Sequence, residues 1–284
     1  MFFNKNTVEL AYIFKSKGLA AVYYHGKLDY FEKASNAKVW LEGQALIMCA
    51  TSAFGMGIDK PDVRFVIHNT IPRSLEDYYQ QAGRAGRDGN PSCCVVMFRF
   101  ADRNQLVCNY STAAELQEAD QFKSSLDAVL SYCMSSECRR KIILQHFNDE
   151  SDVICGGNCD NCANPTTPQR EYTKEAIQLC QCLEEMLVIT PLVTTRQLAL
   201  TFKGSKSKKD VESKGFQNVG HYGSGQHSFK NDVDAITFVQ HLIILEILAE
   251  RFHAQKSRST TPYITLGDKI SELRNDEKRI WLMI

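Results

Sequence analysis

Four cysteines in the middle of the sequence have the spacing of a metal site. Cys155, Cys159 and Cys162 share a stretch rich in glycine and asparagine, and Cys138 precedes a helical pattern, which gives the spacing C-x16-C-x3-C-x2-C. The chain has 11 cysteines, an odd number, and its first residues do not resemble a secretory signal, so we expect no disulfide framework. Four thiolates from a helix end and a tight loop predict a closed, structural Zn²⁺ site. The alternative is four unrelated reduced cysteines.

Two arginines three residues apart form a second group that could do chemistry. Arg84 and Arg87 stand in the stretch 80–89 (QQAGRAGRDG), whose glycines let the backbone approach a ligand. We expect both arginines on one side of a helical turn, and paired guanidinium groups suit the terminal phosphates of a nucleotide. A glycine-rich surface turn with solvated arginines is the alternative.

A third stretch, residues 49–61 (CATSAFGMGIDKP), follows a predicted buried strand. A strand that ends in Thr51 and Ser52 and continues into Gly-x-Gly and an acidic residue offers backbone N–H groups and hydroxyls to phosphates. The Gly-x-Gly pattern alone is weak. Together, however, residues 53–61 and 78–89 resemble motifs V and VI of superfamily-2 helicases, and their sequences are similar to the RecQ family in particular.

The resemblance implies roles around an ATP cleft between two domains. Arg87 is the implied arginine finger, Arg84 its companion, and Gln80 helps to order the cleft. Gly57 and Asp59 are implied to lie at the nucleotide edge.

The resemblance also predicts DNA contacts next to this cleft. Thr51 and Ser52 are implied to couple the cleft to the DNA backbone. Upstream, residues 24–28 (YHGKL) are similar to the family's Tyr-His-Ala-Gly-Leu segment but depart from it at the third and fourth positions. His25 is therefore either a DNA contact or an ordinary core or surface histidine.

A short basic segment stands in a chain whose net charge is zero, with 33 basic and 33 acidic residues. Residues 190–230 carry 7 basic against 2 acidic side chains, whereas residues 101–189 carry 7 against 14. Within the basic segment, residues 203–209 (KGSKSKK) place Gly-Ser before a predicted helix start, where backbone N–H groups and a hydroxyl can meet a phosphate. The predicted DNA contacts are Lys203, Ser205, Lys206, Ser207, Lys208 and Lys209. The alternative is a solvated basic loop.

The cysteine-rich and basic stretches extend the same resemblance. RecQ proteins carry a four-cysteine zinc subdomain after the helicase core, and then a winged helix whose Gly-Ser-x-Ser segment meets the DNA backbone. Residues 263–267 (YITLG) look like the strand and glycine that close the wing, and residues 203–209 are nearest to the Bloom-type branch. We interpret His221 and His227 as loop residues and not as metal ligands.

These stretches need a frame of helices and strands. In residues 1–112 helical patterns alternate with short apolar runs, with residues 93–98 as a buried strand, which predicts a parallel α/β sheet. Residues 113–169 are mostly helical, and residues 170–284 hold three helices and a hairpin. With the resemblance, we expect an α/β fold: a RecA-like parallel-sheet lobe, a helical zinc-binding subdomain and a winged-helix domain.

The predicted wing follows the last of these helices. That helix is predicted over residues 233–250, and the hairpin over residues 251–266 with a polar tip at 255–261. By the resemblance, we expect the hairpin to act as a strand-separating wedge.

The resemblance implies the second half of an ATP-dependent 3′–5′ DNA helicase that unwinds DNA in replication, recombination and repair. The phosphate-binding motif G-x-x-x-x-G-K-[ST] and an acidic DExH box do not occur in the sequence. ATP and Mg²⁺ are therefore expected only together with a first RecA-like lobe, and the isolated chain is expected to be inactive. The alternative is a free-standing, structure-selective DNA-binding protein with a non-functional ATPase half-site.

The expected partner is DNA, at junctions of single strand and duplex and in structured forms, with repair and recombination proteins as further candidates. The longest strongly apolar run, residues 241–249, is interrupted by Glu246 and is too short to span a bilayer, so no membrane association is expected. The expected location is the nucleus, or the cytoplasm and nucleoid in a prokaryote.

Overall fold

The computed structural model describes residues 2–55, 59–107, 113–149, 151, 155–164, 169–252 and 262–282. Its helices are α1 Phe2–Ser16, α2 Tyr30–Leu41, α3 Leu75–Ala82, α4 Phe100–Val107, α5 Ala113–Met134, α6 Arg139–His146, α7 Asp160–Ala163, α8 Thr173–Ile189, α9 Thr195–Lys203, α10 Asp232–Ile244 and α11 Ile270–Arg274. Its strands are β1 Ala21–Tyr24, β2 Ile47–Ala50, β3 Phe65–His68, β4 Cys93–Val96, β5 Arg170–Glu171, β6 Leu248–Phe252, β7 Pro262–Leu266 and β8 Trp281–Leu282. The chain divides into two units, residues 1–67 with 78–95 and residues 68–77 with 96–284.

A parallel pair of strands is the centre of the first unit. β1 and β2 pair in register over their four residues, and α1 and α2 precede them in turn. Gly18 and Gly43 follow these two helices with φ of 80° and 75°, so each helix ends in the left-handed turn that glycine favours. Thr51 N donates to Tyr24 O at 3.1 Å, which places residues 25 and 51 together at the carboxyl end of the pair.

Apolar side chains from both helices cover this pair. The buried members are Ala11, Ala21 and Cys49 in one cluster and Val22, Trp40 and Ala45 in the other. α2 begins at Asp29, whose side chain accepts from Glu32 N at 2.8 Å. This cap fixes the start of the helix directly after the segment at residues 24–28.

β3 and β4 form a second, separate pair, so the described strands of the lobe make two two-stranded sheets. The prediction of a buried strand at residues 93–98 was wrong in its burial, because β4 exposes Cys93 and Cys94. Its partner β3 exposes Phe65 and Ile67 in the same way. Exposure alternates along β3, so one face of the strand meets solvent, and an apolar run in the sequence does not show this.

Helices dominate the second unit up to residue 163. α5 begins at Ala113, where the mostly helical part of the chain is predicted to begin, and α4 packs against it. Leu126, Val129 and Leu130 are fully buried on α5, and α6 follows after a short turn. Three of the four predicted zinc ligands lie at or near helix ends in this part of the chain: Cys138, Cys159 and Cys162.

The last part of the second unit has the three helices and hairpin of the predicted winged helix. α8, α9 and α10 share a core whose fully buried members include Leu183, Leu198, Phe202, Phe238 and Leu242. A reciprocal capping box starts α9: Gln197 N donates to Thr194 Oγ1 at 3.3 Å, and Thr194 N donates to Gln197 Oε1 at 3.0 Å. β6 and β7 pair in antiparallel register, and Ile264 N donates to Val193 O at 2.7 Å.

The predicted helix over residues 233–250 was wrong at its end. α10 stops at Ile244, Glu246 takes a left-handed φ of 60°, and the chain continues as strand β6. No glycine or proline marks this turn, so the apolar pattern alone could not show it. Gly267 makes the turn possible, because a Cβ there would lie 2.2 Å from Glu246 O. The hairpin itself is confirmed by the β6–β7 pair, and its predicted tip lies outside the described residues.

No helix in the described ranges has both the length and the apolar character needed to cross a membrane.

Candidate functional site

The structure brings the four predicted zinc ligands together. The sulfur atoms of Cys138, Cys155, Cys159 and Cys162 all lie within 4.8 Å of one another. Cys138 is the N-cap of α6 and Cys159 the N-cap of α7, so two helix starts and one loop supply the sulfurs. Four sulfur donors, with no further candidate ligand in the group among the described residues, fit a closed tetrahedral Zn²⁺ site.

Backbone N–H groups at helix starts favour ionisation of two of these thiols, Cys138 and Cys159, whose pKa values are lowered. Burial opposes ionisation of Cys159, but hydrogen bonds from the backbone N–H groups of Cys162 and Arg139 lower the pKa of its thiol to about 6. Cys159 in turn is the main cause that raises the pKa of the Cys162 thiol to about 12. The cluster therefore holds thiolate and thiol side by side, and a cation that displaces the remaining protons fits it.

An arginine clamp around the cluster was missed by the sequence reasoning. Arg139 Nε and Nη2 donate to the two carboxylate oxygens of Asp160 at 2.9 and 3.0 Å. Asn161 Nδ2 donates to the carbonyls of Ser135 and Glu137 at 2.8 and 2.6 Å. These bonds tie the loop that holds Cys159 to the start of α6. The available signal was the polar Asp-Asn pair inside the Cys-x2-Cys spacing.

The two stretches with the helicase-like pattern also meet in space. A Cβ built on Gly55 would lie 2.8 Å from Arg84 Nη2, so this guanidinium rests on the glycine backbone. Arg87 Nη1 lies 3.2 Å from Asp59 Oδ1. Partial burial and, secondarily, the positive charge of Arg87 lower the pKa of Arg84. Gly57 lies outside the described residues.

The expectation that both arginines share one side of a helical turn was wrong. α3 ends at Ala82, and Arg84 and Arg87 follow in non-helical turns, each with its own partner on the loop 51–61. The glycines break the helix, since Gly86 takes a φ of 67° and a Cβ there would lie 2.6 Å from Ser92 Oγ. Gln80 lies exposed on the last turn of α3.

A second arginine that the sequence reasoning missed holds the turn after this motif. Arg64 Nη2 lies 2.6 Å from Asp88 Oδ1, and its Nη1 donates to Pro91 O at 3.0 Å. The Arg64 guanidinium is the main cause that lowers the pKa of Asp88 to about 2. The loop that carries Arg84 and Arg87 is thus anchored at its far end.

The predicted DNA-facing residues of the first unit lie at the carboxyl end of β1 and β2. Thr51 is half-buried and its carbonyl accepts from Phe54 N at 2.9 Å, while Ser52 is exposed. His25 is buried, its Nδ1 has no hydrogen-bond partner among the described residues, and its ring stacks on Tyr23 at a centroid distance of 6.3 Å. Of the two interpretations of His25, the structure favours a core residue.

The basic segment has a different geometry from the one predicted. Gly204 ends α9 with a left-handed φ of 79°, and it does not open a helix. Glycine is needed there because a Cβ would lie 2.9 Å from Gly223 Cα. Lys203 Nζ lies 2.9 Å from Asp232 Oδ1, a partner that the sequence did not indicate, and Lys203 stays a predicted DNA contact. Within residues 203–209 the exposed lysines are Lys206, Lys208 and Lys209.

The loop at residues 221–223 is hydrogen-bonded to the end of α9 and to the start of the basic segment's lysine stretch. Tyr222 OH donates to Ser205 O at 3.2 Å, and Gly223 N donates to Thr201 O at 3.0 Å. His221 Nδ1 lies 2.6 Å from Glu185 Oε1, and the His221 backbone N–H donates to the same carboxylate, so this loop residue is tied to α8. Ser207 Oγ accepts from Asp210 N at 3.3 Å. The spacing of the sequence gave no sign of this support.

Three family models match consecutive parts of the chain. Residues 1–89 match the helicase conserved C-terminal domain, residues 99–163 the RecQ zinc-binding domain, and residues 166–284 the RQC domain. The chain belongs to the RecQ family. In this RecQ chain the four-cysteine cluster falls within the zinc-binding match, so the cluster is a structural Zn²⁺ site.

Named relatives agree with this assignment. The chain is 36% identical over 270 residues to the ATP-dependent helicase SGS1 of Saccharomyces cerevisiae, with 93% of this chain and 18% of SGS1 covered. It is 34% identical over 256 residues to the ATP-dependent DNA helicase hus2/rqh1 of Schizosaccharomyces pombe, covering 88% of this chain and 19% of that protein. Against the ATP-dependent DNA helicase RecQ of Bacillus subtilis the identity is 35%, with 78% of this chain and 36% of the relative covered. The chain thus spans well under half the length of each of these relatives.

Among solved structures, the E. coli DEAD-box protein SrmB, in its complex with RraA, is 27% identical, with a TM-score of 0.32. The match covers 34% of this chain and 56% of that chain. The family assignment therefore rests on sequence similarity and on the cysteine cluster.

Proposed function

We propose that this chain is one half of a 3′–5′ DNA helicase, the half that contributes arginines to the ATP cleft and binds DNA. The observation that carries the proposal is that Arg84 packs against the backbone of Gly55, while Arg87 pairs with Asp59 on the same loop. Two guanidinium groups converge on one loop, in a unit whose sequence matches a helicase domain. Such a pair supplies fixed positive charge for phosphates held by a second lobe, and it does no chemistry alone.

Arg87 is the better candidate for contact with the transferred phosphoryl group. Its side chain is 41% exposed and that of Asp59 86% exposed, so the ion pair between them is weak in solvent. A triphosphate carries more charge than Asp59 and would displace it at little cost. Arg84 is more enclosed and keeps its place against Gly55, which suits a residue that orients the cleft. Any bound ATP and Mg²⁺ would supply the reacting phosphates and their charge neutralisation.

DNA is the proposed partner of both units. In the first unit, the proposed backbone contacts are Thr51 and Ser52. In the second unit, Lys206, Lys208 and Lys209 project from a segment that Tyr222 holds in place, and Ser205 and Ser207 add polar groups. Phosphate contacts of this kind carry little base information, so binding is to the shape of a junction or structured DNA. The β6–β7 hairpin is the proposed strand-separating wedge.

Domain boundaries, location and process follow from the same proposal. We place the lobe at residues 1–112, the zinc subdomain at 113–169 and the winged helix at 170–284. Work in replication, recombination and repair would place the protein in the nucleus, or in the nucleoid of a prokaryote, with repair and recombination proteins as further partners.

An ATPase assay with and without single-stranded DNA tests the proposal. The chain alone should show no turnover, and a protein that joins it to a first RecA-like lobe should hydrolyse ATP faster with DNA. DNA binding by the chain, with no stimulated turnover in the joined protein, would favour a DNA-binding protein with a non-functional half-site.

A further inference from the structure

A buried arginine joins the helices of the zinc-associated part to the root of the wing hairpin. Arg103 lies on α4, and its side chain is 0% exposed. It pairs with Asp127 on α5 and with Glu250 on β6, and the Glu250 side chain is also 0% exposed. Asn104 adds a bond to each side: Arg103 Nη1 donates to its Oδ1 at 3.1 Å, and its Nδ2 donates to Glu250 Oε1 at 3.4 Å.

The two carboxylates have different surroundings. Asp127 receives two donors from Arg103, Nε and Nη2, and its side chain is 30% exposed. That bidentate pair alone balances the arginine charge within the helical part. Glu250 is a second, fully buried carboxylate, supplied by a strand 147 residues away in sequence. Asp127 already balances the charge of Arg103 without Glu250. The distinguishing feature of Glu250 is that it links Arg103 to the hairpin.

Glu250 lies on β6, within the paired strands of the hairpin. It lies opposite Ile264 in the β6–β7 ladder, two residues before the described part of β6 ends. A contact at this point holds the stem where the hairpin leaves the body of the protein. Because a buried ion pair needs good geometry at both partners, it fixes direction as well as distance.

We propose that Arg103 is a positioning residue that sets the orientation of the wing hairpin relative to α4 and α5 through Glu250. This inference rests on the proposed function, in which the hairpin separates DNA strands. A wedge splits a duplex only if its root stays fixed while DNA is drawn past it. The Arg103–Glu250 pair provides that fixed root, and the lysines at residues 206–209 provide a separate contact with the DNA backbone.

Distance measurements on the intact chain test the orientation directly. Spin labels are placed at the exposed positions Ser131 on α5 and Arg251 on β6 by a non-natural amino acid, because the chain has 11 cysteines. The wild type should give one narrow distance. Glu250→Gln keeps the shape of the side chain and should add a broad second population, with the ratio of docked to undocked hairpin falling about tenfold or more. The matched control is Glu184→Gln, which breaks an exposed pair with Arg274 and should leave the distance unchanged.

A second variant covers the case in which Glu250→Gln does not fold. Arg103→Met with Glu250→Met keeps apolar volume and removes both fully buried charges. The Asp127 carboxylate loses Arg103 but is 30% exposed and can be solvated, so the variant should retain zinc and fold. It should still show the broad second population, because methionine packs without a fixed direction. A wild-type distance in either variant overturns the inference.

Strand separation in the protein joined to a first lobe tests the consequence. Glu250→Gln should lower the unwinding rate about tenfold while DNA-stimulated ATP hydrolysis and duplex binding change by less than about twofold. A destabilised protein would lose all three together. If the wild type does not unwind DNA, the proposed function fails and the distance result still decides the orientation. If Glu250→Gln unwinds as well as the wild type, the positioning role is overturned.

Discussion

Arg84 rests directly on the backbone of Gly55, so close that a Cβ at position 55 would stand 2.8 Å from Arg84 Nη2. The contact explains why a glycine follows the threonine and serine of this loop. Its hydrogen leaves the space that a planar guanidinium needs, and that guanidinium is partly desolvated there. The position of Arg84 therefore depends on the absence of a side chain.

Gly55→Ala should impair ATP hydrolysis without unfolding the lobe. A methyl group displaces Arg84, and small misplacements at a catalytic cleft cost as much as about 10²-fold in rate. The measurement is DNA-stimulated turnover in a protein that includes a first lobe. Gly26→Ala is the control, since a Cβ there meets only Ala53 Cβ at an ordinary 3.8 Å. Equal turnover in the two variants would show that Arg84 needs no such seat.

Arg87→Ala should abolish most turnover in the same protein. Arginine fingers elsewhere contribute about 10³–10⁵ in kcat, because they neutralise charge that develops on the transferred phosphoryl group. Arg99→Ala removes an exposed arginine whose ion-pair partner among the described residues is Asp102 on α4, and it should be neutral. The 284-residue chain by itself should not hydrolyse ATP, and turnover that persists through repurification and Arg87→Ala would contradict this role.

The chain should bind one Zn²⁺ tightly. Cys159→Ser should release it and unfold the region near residues 138–162, since zinc contributes about 10–16 kcal/mol of apparent binding free energy to small sites. Asp160→Asn removes one charge from the Arg139 clamp and should weaken zinc retention during chelator challenge by about 10–100-fold. Exposed Cys93→Ser is the control. Folded, reductively purified protein without zinc in elemental analysis would refute the site.

Three exposed lysines should carry the salt dependence of DNA binding. Changing Lys206, Lys208 and Lys209 together to alanine should weaken binding equally across sequences and flatten the slope of log K against log salt by about 0.9 per lost contact. Lys203→Ala should change the slope by less than one full contact, because Lys203 is the more enclosed lysine and must first leave Asp232. Fluorescence anisotropy over a salt series measures both. An unchanged slope in the triple variant would move the DNA surface elsewhere.

Stability should fall in mild acid because of one histidine on α10. Burial lowers the pKa of His241 from 6.5 to about 4. Below pH 6.5 the unfolded chain binds a proton at His241 that the folded chain does not bind. The free energy of unfolding therefore falls progressively between about pH 6.5 and 4, by about 3 kcal/mol at most. His241→Met should flatten the pH dependence of the melting temperature in that window. The same slope in wild type and variant would place the titrating group elsewhere.

Much of this protein was readable from its sequence, because the informative signals are local. Three motifs are short-range patterns: the cysteine spacing, the glycine–arginine stretch and the sequence of residues 53–61. Each can be recognised from neighbours a few positions apart, without knowledge of the tertiary structure. The helix starts at Ser74 and Thr194 are local features of the same kind, since a cap needs only the first turn of its own helix.

Other features were decided only when distant segments met. Arg103 is an ordinary charged residue in a helical pattern until a strand 147 positions later brings Glu250 to it. Lys203 looks like a free DNA contact until Asp232 approaches, and Gly204 looks like a helix start until the loop at Gly223 leaves it no room for a Cβ. Burial and pairing are properties of what surrounds a side chain in space. A sequence pattern reports only what precedes and follows it along the chain.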